Sequence, residues 1–283
     1  MIKVEGLAFS YSRRTPLIEH MDFAVGQGEI FGFLGPSGAG KSTVQKILTG
    51  ILKDYGGSVK VLGGEMKHAR RDFYQRIGVD FEFPNLYGKF SALENLKFFA
   101  SLYDRPCHDP AALLERIGLA KDADKKVSGF SKGMKMRMNF IRAIMHKPEL
   151  IFLDEPTSGL DPANARIVKD IILEQKREGK TVLLTTHNMH DAEELCDRVA
   201  FIVDGSIKAM DTPDNLRLKK GGGIVDYAYM ENGVRCHAQA PLSGLQQNEG
   251  FMRKLAGGQV VSIHSGEQTL EDIFIEVTGR SLA

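Results

Sequence analysis

The stretch LGPSGAGKST, residues 34–43, sets three glycines, one lysine and three hydroxyl side chains within ten residues. Gly35-x4-Gly40-Lys41-Ser42 is the full phosphate-loop pattern. Glycines let backbone N–H groups crowd around phosphate oxygens, where a Cβ would intrude. A helix beginning near Lys41 would point its positive end at the same anion. Lys41 can then reach the β- and γ-phosphates, and the Ser42 hydroxyl can ligate Mg²⁺. A second stretch, LIFLDEPTSGLD at 150–161, ends an apolar run in Asp154-Glu155. Two carboxylates at a strand tip lie where ligands of such sheets gather. Asp154 can hold Mg²⁺ through water, leaving Glu155 to take a proton from an attacking water. In TTHNMHD, residues 185–191, His187 follows another apolar run and suits a γ-phosphate contact, while His190 falls outside the site. In FSKGMKMRMNFIRAIM, residues 130–145, Ser131 and Gly133 open an amphipathic helix whose Met134, Met138, Ile141 and Met145 face a core. That opening is a second anion-binding helix terminus. One triphosphate does not need two, which hints that the second serves the nucleotide of another copy.

Strand-like runs alternating with helical patterns must position these groups. Glu29–Leu34 leads into the glycine loop, and Thr43–Leu52 carries Val44, Ile47, Leu48 and Ile51 at helical spacing. Leu150–Leu153 and Thr181–Thr185 are further short apolar runs, which suggests a buried, mostly parallel sheet in an α/β fold. Met1–Phe9 and Met21–Val25 read as an antiparallel β subdomain. Gly221-Gly222-Gly223 reads as a linker. Beyond it, Val225, Tyr227 and Tyr229 alternate, Asn232-Gly233 marks a hairpin, and Val234, Cys236 and Ala238 alternate again. Thr269 and Asp272 fit a capping box, Leu270, Ile273, Phe274 and Val277 one helical stripe, and Gly279 a C-cap. Residues 221–283 thus read as a small C-terminal α+β appendage to a domain spanning 1–220.

The chain has 283 residues, 42% of them hydrophobic and 26% charged, with a net charge of +1. That balance gives no support to a general polyanion binder. Cys107, Cys196 and Cys236 are scattered and odd in number, which fits a reducing compartment better than a disulfide framework or metal site. The N-terminus has no signal-peptide core, and no apolar run approaches the about 20 residues that span a bilayer. Work at a membrane would need a partner.

The four elements, in this order, resemble the nucleotide-binding subunit of ATP-binding cassette (ABC) transporters over residues 1 to about 220. The FSKGM signature ahead of LIFLDEPTSGLD carries most of that specificity. The resemblance implies a P-loop NTPase (RecA-like) core, an N-terminal antiparallel β subdomain and an inserted helical subdomain at about 83–145. It implies ATP and Mg²⁺ as ligands and a head-to-tail dimer, in which each ATP lies between one phosphate loop and the partner's signature. Gly35, Pro36, Ser37, Gly38, Ala39, Gly40, Lys41, Ser42 and Thr43 resemble the phosphate cradle, and Tyr11 the aromatic stacked on adenine. Asp154 resembles the Mg²⁺ carboxylate, Glu155 the catalytic base and His187 the switch histidine. Ser131 and Gly133 resemble the signature contacts to the partner's nucleotide. Ser158-Gly159-Leu160-Asp161 resembles the loop that communicates across the dimer.

Two positions depart from the family pattern. Glu82, in IGVDFEFPNLY, stands where the family usually has a Mg²⁺-sensing glutamine. A glutamate ligates Mg²⁺ but donates no hydrogen bond unless protonated. In the signature, Lys132 and Met134 replace glycine and glutamine, and Lys132 adds a cation near the partner's phosphates. SKGM and the closing LEDIFIEVTGR resemble the ATPase subunits of ABC-2-type exporters of drugs, antibiotics and polysaccharides, which act on a membrane protein carried on a separate chain. The expected setting is the cytoplasmic face of the cell membrane. Residues 82–99, with Phe83, Leu86, Tyr87, Phe90, Phe98 and Phe99, are the expected surface for that partner, although Phe98 and Phe99 could equally fill a helical core. No guanine-reading Asn-Lys-x-Asp is present, which disfavours GTP. The rival readings are a soluble ABC-type ATPase acting on DNA or ribosomes, an importer ATPase, and a cassette that binds ATP without hydrolysing it. A single cassette without heptads or zinc spacing speaks against the first.

Overall fold

The computed structural model describes residues 1–12, 15–220, 224–266 and 269–280. The proposed linker at 221–223 lies outside them. The chain divides into two compact units, Met1–Met210 and the part from Asp211 onward.

In the first unit, β1 (Ile2–Phe9), β2 (Ile18–Val25) and β3 (Ile30–Leu34) lead through the glycine loop into α1 (Lys41–Leu48). Next along the chain are β4 (Gly56–Val61), β5 (Gly64–Glu65), α2 (Arg71–Tyr74), β6 (Ile77–Asp80), α3 (Ala92–Ala100), α4 (Pro110–Arg116) and α5 (Lys132–Ile144). Then come β7 (Leu150–Asp154), α6 (Pro162–Arg177), β8 (Thr181–Thr186), α7 (Met189–Leu195), β9 (Arg198–Val203) and β10 (Ser206–Asp211). Helix α1 starts two residues earlier than the apolar spacing suggests and ends at Leu48. Ile51 therefore leaves the expected stripe and is 54% exposed.

Strands β2-β1-β4-β5 form an antiparallel sheet. Strands β10-β9-β3-β8-β7-β6 form the central sheet, in which β9, β3, β8, β7 and β6 run parallel. Strands β3, β7 and β8 are buried at every residue. This is why they read as continuous apolar runs rather than alternating ones. Phe23 of β2 packs edge-on to Phe33 of β3, with ring centroids 5.0 Å apart, so both sheets share one core.

The second unit contains α8 (Pro213–Lys220), β11 (Ile224–Glu231), β12 (Val234–Pro241), α9 (Glu249–Ala256), β13 (Val260–Gly266) and α10 (Leu270–Thr278). Its sheet is ordered β12-β11-β13. Asn232 (φ 52°) and Gly233 (φ 80°) make the hairpin turn, because both central residues need positive φ there. Tyr227 packs edge-on against Phe251 of α9, with centroids 4.8 Å apart, in a small core with Ala240. Thr269 and Asp272 form a reciprocal capping box on α10, and Gly279 closes it with φ 68°.

Candidate functional site

The register of the parallel sheet brings the chemistry together. Leu34 pairs with Thr186, Asp154 with Thr185, and Asp80 with Leu153. The C-terminal ends of β3, β8, β7 and β6 therefore lie side by side, and the loops leaving these strands meet at one edge. A cleft of about 510 Å³ opens there. It is lined by Tyr11, Leu17, Ser37, Gly38, Gly40, Lys41, Ser42, Thr43, Glu82, Asp154, Glu155, Ser158 and His187.

The glycine loop is shaped by close approach. A Cβ on Gly35 would lie 2.1 Å from the carbonyl oxygen of Ile202 in β9, so no side chain fits. Gly40 N-caps α1 in the left-handed region and no side chain caps the helix. The first N–H groups of α1 thus stay available to an anion. Lys41 is 8% exposed, and its Nζ donates to the carbonyls of Gly35 (2.5 Å) and Pro36 (3.1 Å). Burial lowers its pKa, while the carboxylates of Glu155, Asp154 and Glu82 oppose that shift. Gly35, Pro36 and Ala39 belong to the loop but do not line the cleft.

Asp154 is buried and accepts a hydrogen bond from the Thr185 hydroxyl. Glu155 sits at φ 52°, unusual for a non-glycine residue and a local strain of the kind found at functional sites. Its N–H donates to the Thr185 carbonyl at 3.0 Å. Its Oε2 accepts from the Thr186 hydroxyl at 3.2 Å, and its Oε1 lies 2.8 Å from His187 Nδ1. Tyr11 is 63% exposed; its hydroxyl lies 3.2 Å from Thr43 Oγ1 and its ring packs edge-on to Phe9.

Ser131, Gly133 and Asp161 do not line this cleft. Ser131 N-caps α5, accepting from the Met134 N–H at 3.3 Å, and is exposed. Gly133 abuts Leu160 and Lys132 reaches over Gly159, so the signature packs against the Ser158–Asp161 loop. Asp161 N-caps α6, accepting from the Asn164 N–H at 3.0 Å. Met138, Ile141 and Met145 are fully buried, in keeping with core packing, whereas Met134, in the first turn of α5, is only half-buried. Leu17 and Ser158 line the cleft in addition to the expected ligand contacts. Leu17 carries no chemical signal, being a lone apolar residue after a turn.

Two neighbouring features frame the site. Phe83 is 72% exposed, and Tyr87 and Phe90 are also exposed. Tyr87 meets Phe98 edge-on at 5.0 Å, and Phe98 and Phe99 are half-buried, so each is part core and part surface. His190, Asp191 and Glu194 bring ligand atoms within 4.8 Å of one another. The Lys169 ammonium already serves that group, 3.2 Å from Asp191 and hydrogen-bonded to Glu194. Among the described residues no helix is long and apolar enough to cross a membrane.

The pattern of the ABC transporter family matches residues 18–158. A fluoroquinolones export ATP-binding protein of Mycobacterium tuberculosis is 50% identical over 284 aligned residues, covering 100% of this chain and 94% of the relative. The chain belongs to the ABC transporter family. The linearmycin resistance ATP-binding protein LnrL of Bacillus subtilis is 33% identical over 96% of this chain and 85% of its own. The Nod factor export ATP-binding protein I of Rhizobium meliloti is 36% identical over 99% and 89%. Among solved structures, an ATP-binding subunit of an ABC transporter superposes with a TM-score of 0.70 at 28% identity, over 77% of this chain and 92% of its own. The cbiO1 protein of Clostridium perfringens, part of the cbiONQ transporter complex, gives a TM-score of 0.66 at 27% identity, over 77% and 91%. This cassette binds ATP and is an ATPase, and two of these relatives are named as export ATP-binding proteins.

Proposed function

We propose that two copies of this chain, or one copy and a related cassette, close on two MgATP and drive export through a membrane-spanning partner carried on a separate chain. The observation that carries this reading is the single cleft in which Lys41, Ser42, Glu82, Asp154, Glu155 and His187 converge. The work is done at the cytoplasmic face of the cell membrane. Relatives named for export of fluoroquinolones and Nod factor support the outward direction.

Phosphoryl transfer needs charge neutralisation, an oriented water and little else. The loop from Gly35 to Thr43 holds the phosphates through its N–H groups, and Lys41 leaves its carbonyl partners to reach the β- and γ-phosphates. Tyr11 stacks on the adenine. Ser42, Glu82 and Asp154, all lining the cleft, offer only hard oxygen donors, a set that suits Mg²⁺. Mg²⁺ held by these oxygens would offset the charge on the triphosphate. Glu155 accepts the proton of the attacking water, and its strained backbone fixes where that carboxylate points. His187 holds Glu155 through Nδ1 and leaves Nε2 for the γ-phosphate. Ser131, Gly133 and Asp161 face the nucleotide of the second copy, where the N-terminus of α5 supplies the facing dipole. Phe83, Tyr87 and Phe90 are the surface for the membrane partner, since they are apolar, exposed and directly follow Glu82.

Glu155→Gln tests the site directly. It should keep ATP affinity within about twofold and lower phosphate release by at least about a hundredfold, the scale of losing the group that takes the proton. Turnover within threefold of the parent would remove Glu155 from that role.

A further inference from the structure

The loop that carries Glu82 is held from one helix. Asn139 and Arg142 lie on neighbouring turns of α5. The Asn139 Nδ2 amide donates one hydrogen bond to the Asp80 carboxyl, at the end of β6, and another to the carbonyl of Phe81 at 2.9 Å. Arg142 Nη1 donates to the carbonyl of Asn85 at 2.9 Å. The backbone is thus pinned one residue before and three residues after Glu82. Strand and helix meet closely enough for this because a Cβ on Gly78 of β6 would lie 2.0 Å from the Ala143 carbonyl of α5.

The pair under Glu82 is a poor choice for stability alone. Asp80 and Asn139 are buried, and Asp80 Oδ2 and Asn139 Oδ1 have no partner among the described residues. Buried polar atoms without partners destabilise, and two apolar side chains of similar size would pack there at lower cost. What the polar pair supplies is direction, because an amide with both N–H bonds spent on the end of β6 fixes that end relative to α5.

We infer that Asn139, oriented by Asp80 and assisted by Arg142, is a positioning residue that aims Glu82 into the nucleotide cleft and locks the Glu82 loop to the helix headed by Ser131. The inference rests on the proposed role of Glu82 toward the nucleotide's Mg²⁺. It adds a mechanical consequence. The loop that meets this chain's own nucleotide and the helix terminus offered to the second copy's nucleotide shift as one body. Asn139 touches neither nucleotide and acts only through Glu82.

The test is the Mg²⁺ enhancement of nucleotide binding, measured on the full chain in the Glu155→Gln background with a fluorescent ATP analogue, with Mg²⁺ and with EDTA. Glu82→Ala sets the scale. Asn139→Leu, and the paired Asp80→Leu/Asn139→Leu that leaves no lone buried acid, should lose at least fivefold of the enhancement while the affinity in EDTA stays within twofold. Adding Asn139→Leu to Glu82→Ala should change nothing further, since Asn139 acts through Glu82. The swap Asp80→Asn/Asn139→Asp, which keeps an acid–amide pair, should restore most of the enhancement. Full enhancement in the paired leucine variant overturns the positioning role. So does an Asn139→Leu effect that adds in full to Glu82→Ala. An unchanged enhancement in Glu82→Ala overturns the reading of Glu82 and the inference together. That is a different result from a silent Asn139→Leu beside an effective Glu82→Ala.

Discussion

Helices α1 and α5 both begin where the chain presents backbone N–H groups to an anion, and they are finished differently. The start of α1 has no side-chain cap and follows the glycine loop. It opens into a cleft walled by three carboxylates, a histidine and a buried lysine. The start of α5 is capped by the Ser131 hydroxyl, with Ser131 and Lys132 exposed and no part in that cleft. On the proposed reading the first is an entire phosphate cradle supplied by one chain. The second, on the same reading, is one wall of a site that a nucleotide carried on another copy completes. A helix terminus by itself is only an electrostatic preference of about 0.3–1 kcal/mol. What singles out the start of α1 is the number of groups converging around it.

The largest separation between the two ends should come from Lys41→Ala. ATP affinity should fall by about a hundredfold, the loss of a charge-assisted phosphate contact, about 3 kcal/mol in a partly desolvated cleft. Equilibrium binding to the purified chain measures it, and affinity within threefold of the parent would mean the loop amides hold the phosphates without the lysine. Ser131→Ala should behave oppositely. ATP affinity of the isolated chain should stay within twofold while phosphate release drops at least about tenfold, because the lost cap and hydroxyl matter only across a dimer. Equal losses in binding and turnover would place Ser131 in its own chain's site instead.

Just beyond the far end of α5 lies a buried histidine whose protonation should cost stability. His146 follows the helix, is fully buried, lies stacked on Tyr103 and bonds through Nε2 to the Ile77 carbonyl at 2.8 Å. Desolvation pushes its pKa down to about 4, with Arg105 adding to the fall and the Ile77 bond opposing it. The unfolded chain binds a proton near pH 6.5, which the folded state refuses until about 4. The stability that this histidine contributes is therefore complete above pH 6.5 and declines as pH falls toward 4, by about 1 kcal/mol at pH 5.5. Denaturant unfolding at pH 7.5 and 5.5 should show that His146→Gln loses this share of the decline. An identical decline in parent and variant would assign it to other groups. The smallest effect is expected at Tyr11. Tyr11→Ala should weaken ATP about fivefold, on the scale of one aromatic stack, about 1 kcal/mol. Tyr11→Phe should restore affinity if stacking matters, and should not if the hydroxyl contact with Thr43 is what counts.

The parts of the molecule that could be read along the chain are those whose physics is local. The glycine loop, the acidic pair after an apolar run, the Thr269–Asp272 capping box and the Asn232-Gly233 turn each announce themselves within a few residues. The buried strands were legible because burial on both faces removes alternation. The end of α1 was not, since the apolar spacing runs on to Ile51 while the helix stops at Leu48. The fold of the second unit was visible as a hairpin and a helix, but not that Tyr227 would find Phe251 on another helix.

A phosphate loop, two carboxylates and a histidine in this order are legible along the chain, because those signals are residue types at fixed short spacings. That they share one edge is a result of tertiary packing. The parallel register sets Leu34 beside Thr186, Thr185 beside Asp154, and Leu153 beside Asp80, across separations no local pattern encodes. It also decided that Asn139, in a helix face that reads as core, spends both amide hydrogens on the strand end beneath Glu82. A side chain's burial and partners depend on which distant backbone lies against it, and that is a property of the packed sheet and helix rather than of any segment alone.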